Sequence, residues 1–72
     1  MRLAEYIPIV DGTLRAFSER SGVPISVLDR VVRGESCSLK NGAKIVRATH
    51  AKPTPSGGAV TFEELLPQEV AA

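Results

Sequence analysis

A cluster of basic side chains lies in the middle of the chain. Residues 30–52 hold six cations and one anion, Glu35, although the whole sequence carries a net charge of only +1. The six cations are Arg30, Arg33, Lys40, Lys44, Arg47 and Lys52. Residues 61–72 hold three glutamates and no cation. A local positive surface attracts a phosphate backbone, because each neutralised phosphate releases condensed counterions; the alternative is an ordinary solvated charged face.

Side chains suited to covalent or metal chemistry are few. One histidine, His50, and one cysteine, Cys37, are present, so an internal disulfide and a four-cysteine zinc site are both excluded. His50 stands at a predicted helix end, where a cationic C-cap or solvent-facing role is the default interpretation. Cys37 lies near Lys40 and a helix start, features that can lower a thiol pKa, but simple packing is the alternative. Without a phosphate loop, nucleophile triad or paired acid and base carboxylates, we predict no enzyme, no metal site and no cofactor.

The length and composition predict one small domain. The chain has 72 residues, of which 43% are hydrophobic, and a core of this size supplies only about 3–5 kcal/mol. Support from a partner subunit is therefore an expectation. Glu5 and Pro8 interrupt the apolar N-terminus before a secretory or membrane-spanning segment can form. We expect a soluble cytoplasmic protein with no membrane partner.

Two short helices are predicted in the first third of the chain. Residues 2–7 have apolar side chains at helical spacing, and Pro8 is expected to end that helix. Thr13 is the predicted N-cap of a helix over residues 14–21, and Gly22 is the glycine that ends it. The predicted inner stripe of this second helix is Leu14, Phe17, Ser18 and Ser21.

Two further helices follow. Pro24 suits a first helical position, so a third helix is predicted from Pro24 to Gly34. Its predicted inward side chains are Leu28, Val31 and Val32, with Val23 packing from the turn. Ser38 is the predicted cap of a fourth helix over residues 39–50. Its predicted inward residues are Leu39, Gly42, Ala43, Val46 and Thr49, with Lys40, Lys44 and Arg47 outward.

The C-terminal third is predicted to hold a linker and a last helix. Residues 50–58 contain two prolines and two glycines, a composition typical of a flexible linker. Thr61 and Glu64 have the spacing of a capping box. The short helix that follows would present Phe62, Leu65 and Leu66 on its apolar face. We predict a single domain over residues 1–67, with residues 68–72 as a frayed tail.

The segment TLRAFSERSGVPISVLDRVVRGES, residues 13–36, resembles the helix-turn-helix of the lambda-repressor-like Cro/XRE family of DNA-binding proteins. The matching residues are Phe17, Ser18, Gly22, Val23, Leu28 and Val31. SLKNGAKIVRAT resembles the next helix of those proteins, and AVTFEELLP resembles the ending of short Cro-like and YdaS-like members. The resemblance spans residues 13–67. It implies an all-α fold, a compact bundle of about five short helices with a central helix-turn-helix.

The resemblance also implies roles for individual residues. The second helix of such a motif enters the major groove of DNA. Base contacts would then come from Ile25, Ser26, Asp29 and Arg30, with Arg30 gripping guanine and Ile25 touching a thymine methyl. Phosphate contacts would come from Arg33, Ser36, Ser38 and Lys40. Asp29 has two interpretations, because it can accept from cytosine N4 or pair with Arg33 within the helix.

The sequence leaves two possible functions. The resemblance implies a sequence-specific regulator of transcription, a Cro-like repressor of the kind found in phages or mobile elements. It would bind a pseudo-palindromic operator in double-stranded DNA as a homodimer and be nucleoid-associated when bound. Phe62, Leu65 and Leu66 are the candidate dimer contacts. The alternative is a protein-binding antirepressor or anti-activator module on the same scaffold, and the low net charge favours it.

Overall fold

The described part of this chain folds into four helices. The computed structural model describes residues 1–61 and residue 65. Within that part there are four α-helices and no strand, which confirms the all-α fold class. The helices are α1 (Leu3–Val10), α2 (Leu14–Ser21), α3 (Ile25–Val32) and α4 (Leu39–Ala51). The predicted fifth helix, apart from Leu65, and the tail at residues 68–72 lie outside the described residues.

Helix α1 runs through its proline. It continues past Pro8 to Val10, so the prediction that Pro8 ends the helix is wrong. A proline inside a helix removes one hydrogen bond, that to the carbonyl four residues earlier. Here that carbonyl belongs to Ala4, an exposed residue. The buried side chains of Leu3, Tyr6 and Ile7 hold the helix against the core despite the missing bond.

The ends of α2 follow the local sequence signals. The Thr13 hydroxyl accepts a hydrogen bond from the Ala16 amide at 3.1 Å, and Gly22 ends the helix with φ 78°. Both predictions are confirmed. Pro24 is the N-cap of α3, with ψ 141°, and not its first helical residue. The Ser18 hydroxyl donates to the Val23 carbonyl at 2.6 Å, which explains a serine on the inner side of α2.

The core lies between all four helices and the C-terminal segment. Its buried apolar residues include Leu3, Tyr6, Ile7, Phe17, Val23, Leu28, Val31, Ile45, Ala48, Val60 and Leu65. Val23, Leu28 and Val31 are buried as predicted, whereas Val32 is only half-buried. Phe17 and Tyr6 meet edge to face with ring centroids 5.8 Å apart, a favourable aromatic arrangement.

The inner face of α4 differs from the prediction. Leu39 was predicted to face the core but is 67% exposed, while Ile45 is fully buried. Gly42 and Thr49 are buried as predicted. The buried face is therefore rotated by about one residue from the predicted one, and Leu39, in the first turn, carries its side chain outside the core. Ser38 caps the helix as predicted, accepting from the Asn41 amide at 3.2 Å.

The segment after α4 returns to the core. The linker was predicted to begin at residue 50, but α4 extends to Ala51. The Thr54 amide donates to the Gly58 carbonyl at 2.9 Å, and the Gly58 amide donates to Thr54 Oγ1 at 2.7 Å, so residues 54–58 form a closed turn. Beyond it, Val60 and Leu65 are both buried. The Leu65 side chain faces the core of its own chain, although it was predicted to be a dimer contact.

A single arginine connects α2 to two other helices. Arg20 donates two hydrogen bonds to the Asp11 carboxylate, at 2.9 and 3.0 Å, one to the Ala48 carbonyl at 2.7 Å and one to the Tyr6 hydroxyl at 2.8 Å. Its guanidinium lies 5.3 Å from the centre of the Phe17 ring. The bonds to Asp11 hold the pKa of Arg20 above its ordinary value, an effect that outweighs partial burial. Arg20 is therefore charged throughout the usable pH range.

Candidate nucleic-acid interface

Helix α3 presents one face to the core and the other to solvent. Leu28 and Val31 are three residues apart and both buried, which fixes the rotation of the helix about its axis. Ser26 and Arg30 then fall on the opposite side, while Ile25 lies in the first turn, three residues before Leu28; all three are exposed. Three of the four predicted base-contacting residues are exposed to solvent, and the fourth, Asp29, is half-buried.

A glycine turn ends α3 and directs the chain back along it. Gly34 has φ 98°, and its amide donates to the Val31 carbonyl at 3.0 Å. The Glu35 amide donates to the Arg30 carbonyl, also at 3.0 Å. These two bonds define a Schellman motif. The motif places Glu35 beside Arg30 although five positions separate them in the sequence.

Both arginines on the outer side of α3 have acidic partners. Arg33 Nη2 lies 3.1 Å from Asp29 Oδ2, one helical turn away. Arg30 Nε lies 3.5 Å from Glu35 Oε1. Of the two interpretations of Asp29, the structure contains the pair within the helix. The pair of Arg30 with Glu35 was missed, because only the left-handed turn at Gly34 brings these two residues together.

A shallow cleft joins the end of α3 to the start of α4. Its volume is about 240 Å³. It is lined by Val27, Arg30, Ser36, Cys37, Ser38 and Asn41. One predicted base contact, Arg30, therefore meets two predicted phosphate contacts, Ser36 and Ser38, around the same depression. Lys40 follows in the first turn of α4 and is exposed.

Basic residues continue along α4 beyond the cleft. Lys40 and Arg47 are exposed, and Lys44 is half-buried, so the predicted outward side of this helix is only partly confirmed. Arg33, the remaining predicted phosphate contact, is exposed at the end of α3. The cations of α4 are therefore not all on its exposed side, and the arginines at the end of α3 are paired with carboxylates.

The two residues considered for covalent or metal chemistry have ordinary surroundings. Cys37 is half-buried, and burial raises the pKa of its thiol, the opposite of the lowering that its neighbours in sequence suggested. His50 is exposed, with Nδ1 2.9 Å from the Val46 carbonyl oxygen. Within residues 1–61 and residue 65, no three side chains of His, Cys, Asp or Glu are grouped to hold a metal ion.

Large apolar side chains also reach the surface. Ile25 is 46% exposed and Leu39 is 67% exposed, near the start of α3 and of α4 respectively. Of the predicted dimer contacts, Phe62 and Leu66 lie outside the described residues. An apolar side chain at the start of α3 suits a thymine methyl or a protein surface.

Comparisons of the chain with protein-family models, curated proteins and solved structures found no match. In the part of the chain that the structure describes, no helix combines the length and the apolar character needed to cross a membrane.

Proposed function

We propose that this protein is a sequence-specific regulator of transcription that binds double-stranded DNA through the outer side of α3. In this proposal, α2, the turn at Gly22 and α3 act as a helix-turn-helix. The observation that supports the proposal best is that α3 has one buried face and one exposed face. Leu28 and Val31 anchor the helix in the core, while Ile25, Ser26 and Arg30 are left exposed.

The dimensions and chemistry of α3 suit the major groove. Eight residues give a helix about 12 Å long, and the major groove of B-DNA admits an α-helix. Arg30 would donate to O6 and N7 of a guanine, Ile25 would contact a thymine methyl, and Ser26 would donate or accept. Asp29 supports Arg33 through their ion pair and is the least available of the four proposed base contacts.

Residues around the cleft would contact phosphates. The Ser36 and Ser38 hydroxyls and the Lys40 ammonium are polar, exposed groups of the kind that fix the register of a protein on the duplex. They lie at the start of α4, where the dipole of a 13-residue helix favours an anion. Arg33 would add a further phosphate contact at the end of α3.

The proposed assembly is a Cro-like homodimeric repressor. Two copies would place their α3 helices in successive major grooves about 34 Å apart, on a pseudo-palindromic operator. Phe62 and Leu66 are the proposed dimer contacts. Leu65 is no longer proposed, because its side chain is only 2% exposed in the core of its own chain.

The proposal is tested by titrating labelled duplexes, including DNA from upstream of the protein's own gene, and following fluorescence anisotropy at several salt concentrations. The preferred duplex is the one that the unaltered protein binds most tightly. Arg30→Ala should weaken binding to it by about 1–3 kcal/mol and weaken binding to scrambled duplexes less. Lys52→Ala is the matched control, because it also removes one cation but lies just past the end of α4, about 18 Å from Lys40 at the start of that helix.

Two results would contradict this proposal in different ways. Equal weakening on all duplexes would make Arg30 a phosphate contact and not a base contact. No binding of the unaltered protein to any duplex, even at low salt, would eliminate DNA binding itself.

A second candidate function is a protein-binding module, an antirepressor or anti-activator. The observations that favour it are the exposed Ile25 and Leu39 and the pairing of both arginines on α3 with carboxylates. Ile25, with half-buried Val27 beside it, would be its contact surface. Salt separates the two functions: DNA affinity should fall with a log-log slope of about −0.9 per phosphate contacted, whereas apolar protein binding should barely change.

A further inference from the structure

We propose that Glu35 is a positioning residue for Arg30: it orients the guanidinium for base contact and suppresses binding to DNA of arbitrary sequence. The inference rests on the proposed DNA-binding function and identifies a residue that sets its specificity. It starts from the Schellman motif at the end of α3. The Glu35 amide is hydrogen-bonded to the Arg30 carbonyl at 3.0 Å, so the backbone of Glu35 is fixed relative to α3.

The ion pair with Glu35 leaves the terminal nitrogens of Arg30 available for contact with a base. Glu35 Oε1 lies 3.5 Å from Nε, the nitrogen nearest the aliphatic part of the side chain. The terminal nitrogens Nη1 and Nη2 form the far end of the planar guanidinium, and an end-on pair of N–H donors can contact O6 and N7 of guanine. A carboxylate at Nε therefore restrains the side chain without occupying both terminal donors.

The ion pair contributes little to folding. The side chains of Arg30 and Glu35 are 68% and 54% exposed, and surface pairs of this kind are worth about 0–1 kcal/mol. Removing the Glu35 carboxylate should therefore leave the fold intact. This separates an effect on DNA binding from an effect on stability.

The carboxylates also remove the net charge of the α3 surface. Arg30 and Arg33 face Glu35 and Asp29 at ion-pair distance, so two positive and two negative charges sum to zero. Binding to arbitrary DNA depends almost entirely on cations that neutralise phosphates, and it is weakened by carboxylates close to those cations. Base contacts are made only at the correct sequence, and they add affinity there that arbitrary DNA cannot supply.

The test compares Glu35→Gln with Glu19→Gln. Both substitutions remove one negative charge and keep the shape of the side chain, but Glu19 is an exposed residue on α2 outside the two ion pairs. The probes are the preferred duplex and a scrambled duplex of the same length. Binding is measured by anisotropy over a range of salt concentrations, beginning at about 50 mM.

We expect Glu35→Gln to bind the scrambled duplex about threefold or more tightly, and its log-log salt slope to steepen by about 0.9, the value for one additional phosphate contact. Affinity for the preferred duplex should rise less, so the ratio of the affinity for the preferred duplex to that for the scrambled duplex falls. Glu19→Gln should change the affinity for both duplexes by the same factor and leave the log-log salt slope unchanged. The effect of Glu35→Gln should disappear when Arg30→Ala is also present, because the two residues are proposed to act as a pair.

The outcomes separate this inference from the function on which it rests. If the unaltered protein binds DNA and Glu35→Gln matches Glu19→Gln in affinity and slope, the inference is overturned and the proposed function stands. If neither the protein nor any variant binds a duplex at low salt, both are overturned. Melting temperatures within error of one another would exclude unfolding as the source of a difference.

Discussion

Arg20 shows how much of this small core depends on the geometry of one side chain. The planar guanidinium provides N–H donors in fixed directions, and Arg20 uses them for Asp11, Ala48 and Tyr6. These partners lie at the end of α1, within α4 and within α1. The Asp11 side chain is only 4% exposed, so its carboxylate has little access to water and relies on Arg20 for compensation.

Arg20→Lys should therefore lower the free energy of unfolding by about 1–3 kcal/mol, even though the charge is kept. An ammonium cannot reproduce the two parallel bonds to Asp11 together with the bonds to Ala48 and Tyr6. The measurement is urea unfolding followed by circular dichroism, with Arg15→Lys, an exposed position on the same helix, as the control. Equal midpoints for the two variants would show that the paired geometry contributes nothing.

The turn after α3 is the element on which both the fold and the proposed interface depend. Gly34 adopts φ 98° with no atom within 4 Å of the position a Cβ would take. Space is therefore available, and the restriction on this position comes from the backbone conformation alone. The same turn sets the position of Glu35 and the start of the path to Ser38.

Gly34→Ala should destabilise the protein by about 1–2 kcal/mol, the usual penalty for a left-handed residue with a Cβ. Gly34→Asn should lower the free energy of unfolding less, because asparagine adopts the left-handed conformation more readily than alanine. Thermal unfolding of the two variants measures the difference. A loss that is the same for alanine and asparagine would mean that backbone conformation is not the cause.

Signals that act within a few residues made the two ends of α2 and the start of α4 predictable. Thr13, Gly22 and Ser38 each satisfy backbone groups next to them, so their types alone indicated where α2 and α4 begin or end. The inward face of α4 was harder to predict. Ile45 and Val46 are adjacent apolar residues, and only packing against the other helices determines that Ile45 is the buried one.

The candidate site was predictable to the same degree. Exposure of Ser26 and Arg30 follows from placing Leu28 and Val31 inside, which is a matter of helical period. Ile25 lies three residues before Leu28, so helical spacing alone does not predict its exposure. The pairing of Arg30 with Glu35 depends on a turn conformation, and the links from Arg20 to Tyr6 and Ala48 depend on how helices meet. Neither follows from spacing along the chain.

For the whole molecule, closure depends on the segment that follows α4, around residue 60. Val60 is fully buried, and its amide donates to Thr49 Oγ1 at 3.2 Å. The N-terminal ammonium donates to the Ala59 carbonyl at 3.4 Å. The segment around residue 60 thus contacts both the start of the chain and α4.

Val60→Ala should lower the free energy of unfolding by about 2 kcal/mol or more, from lost burial and the cavity left behind. The control is Val10→Ala, which changes a half-buried valine at the end of α1. It should lower the free energy of unfolding less. Urea unfolding at equal protein concentrations gives both values. A smaller loss for Val60→Ala than for Val10→Ala would mean that the C-terminal segment adds little to the core.

Tyr6 gives the molecule a built-in optical signal. It is the only tyrosine, and the sequence has no tryptophan, so its phenol is the main ultraviolet chromophore and emitter. The ring is fully buried, and the hydroxyl donates to the Lys52 carbonyl while accepting from Arg20. Unfolding would expose the ring and break both bonds at once. Near-ultraviolet spectra of the unlabelled chain therefore report the assembly of α1, α2 and the end of α4 through one residue.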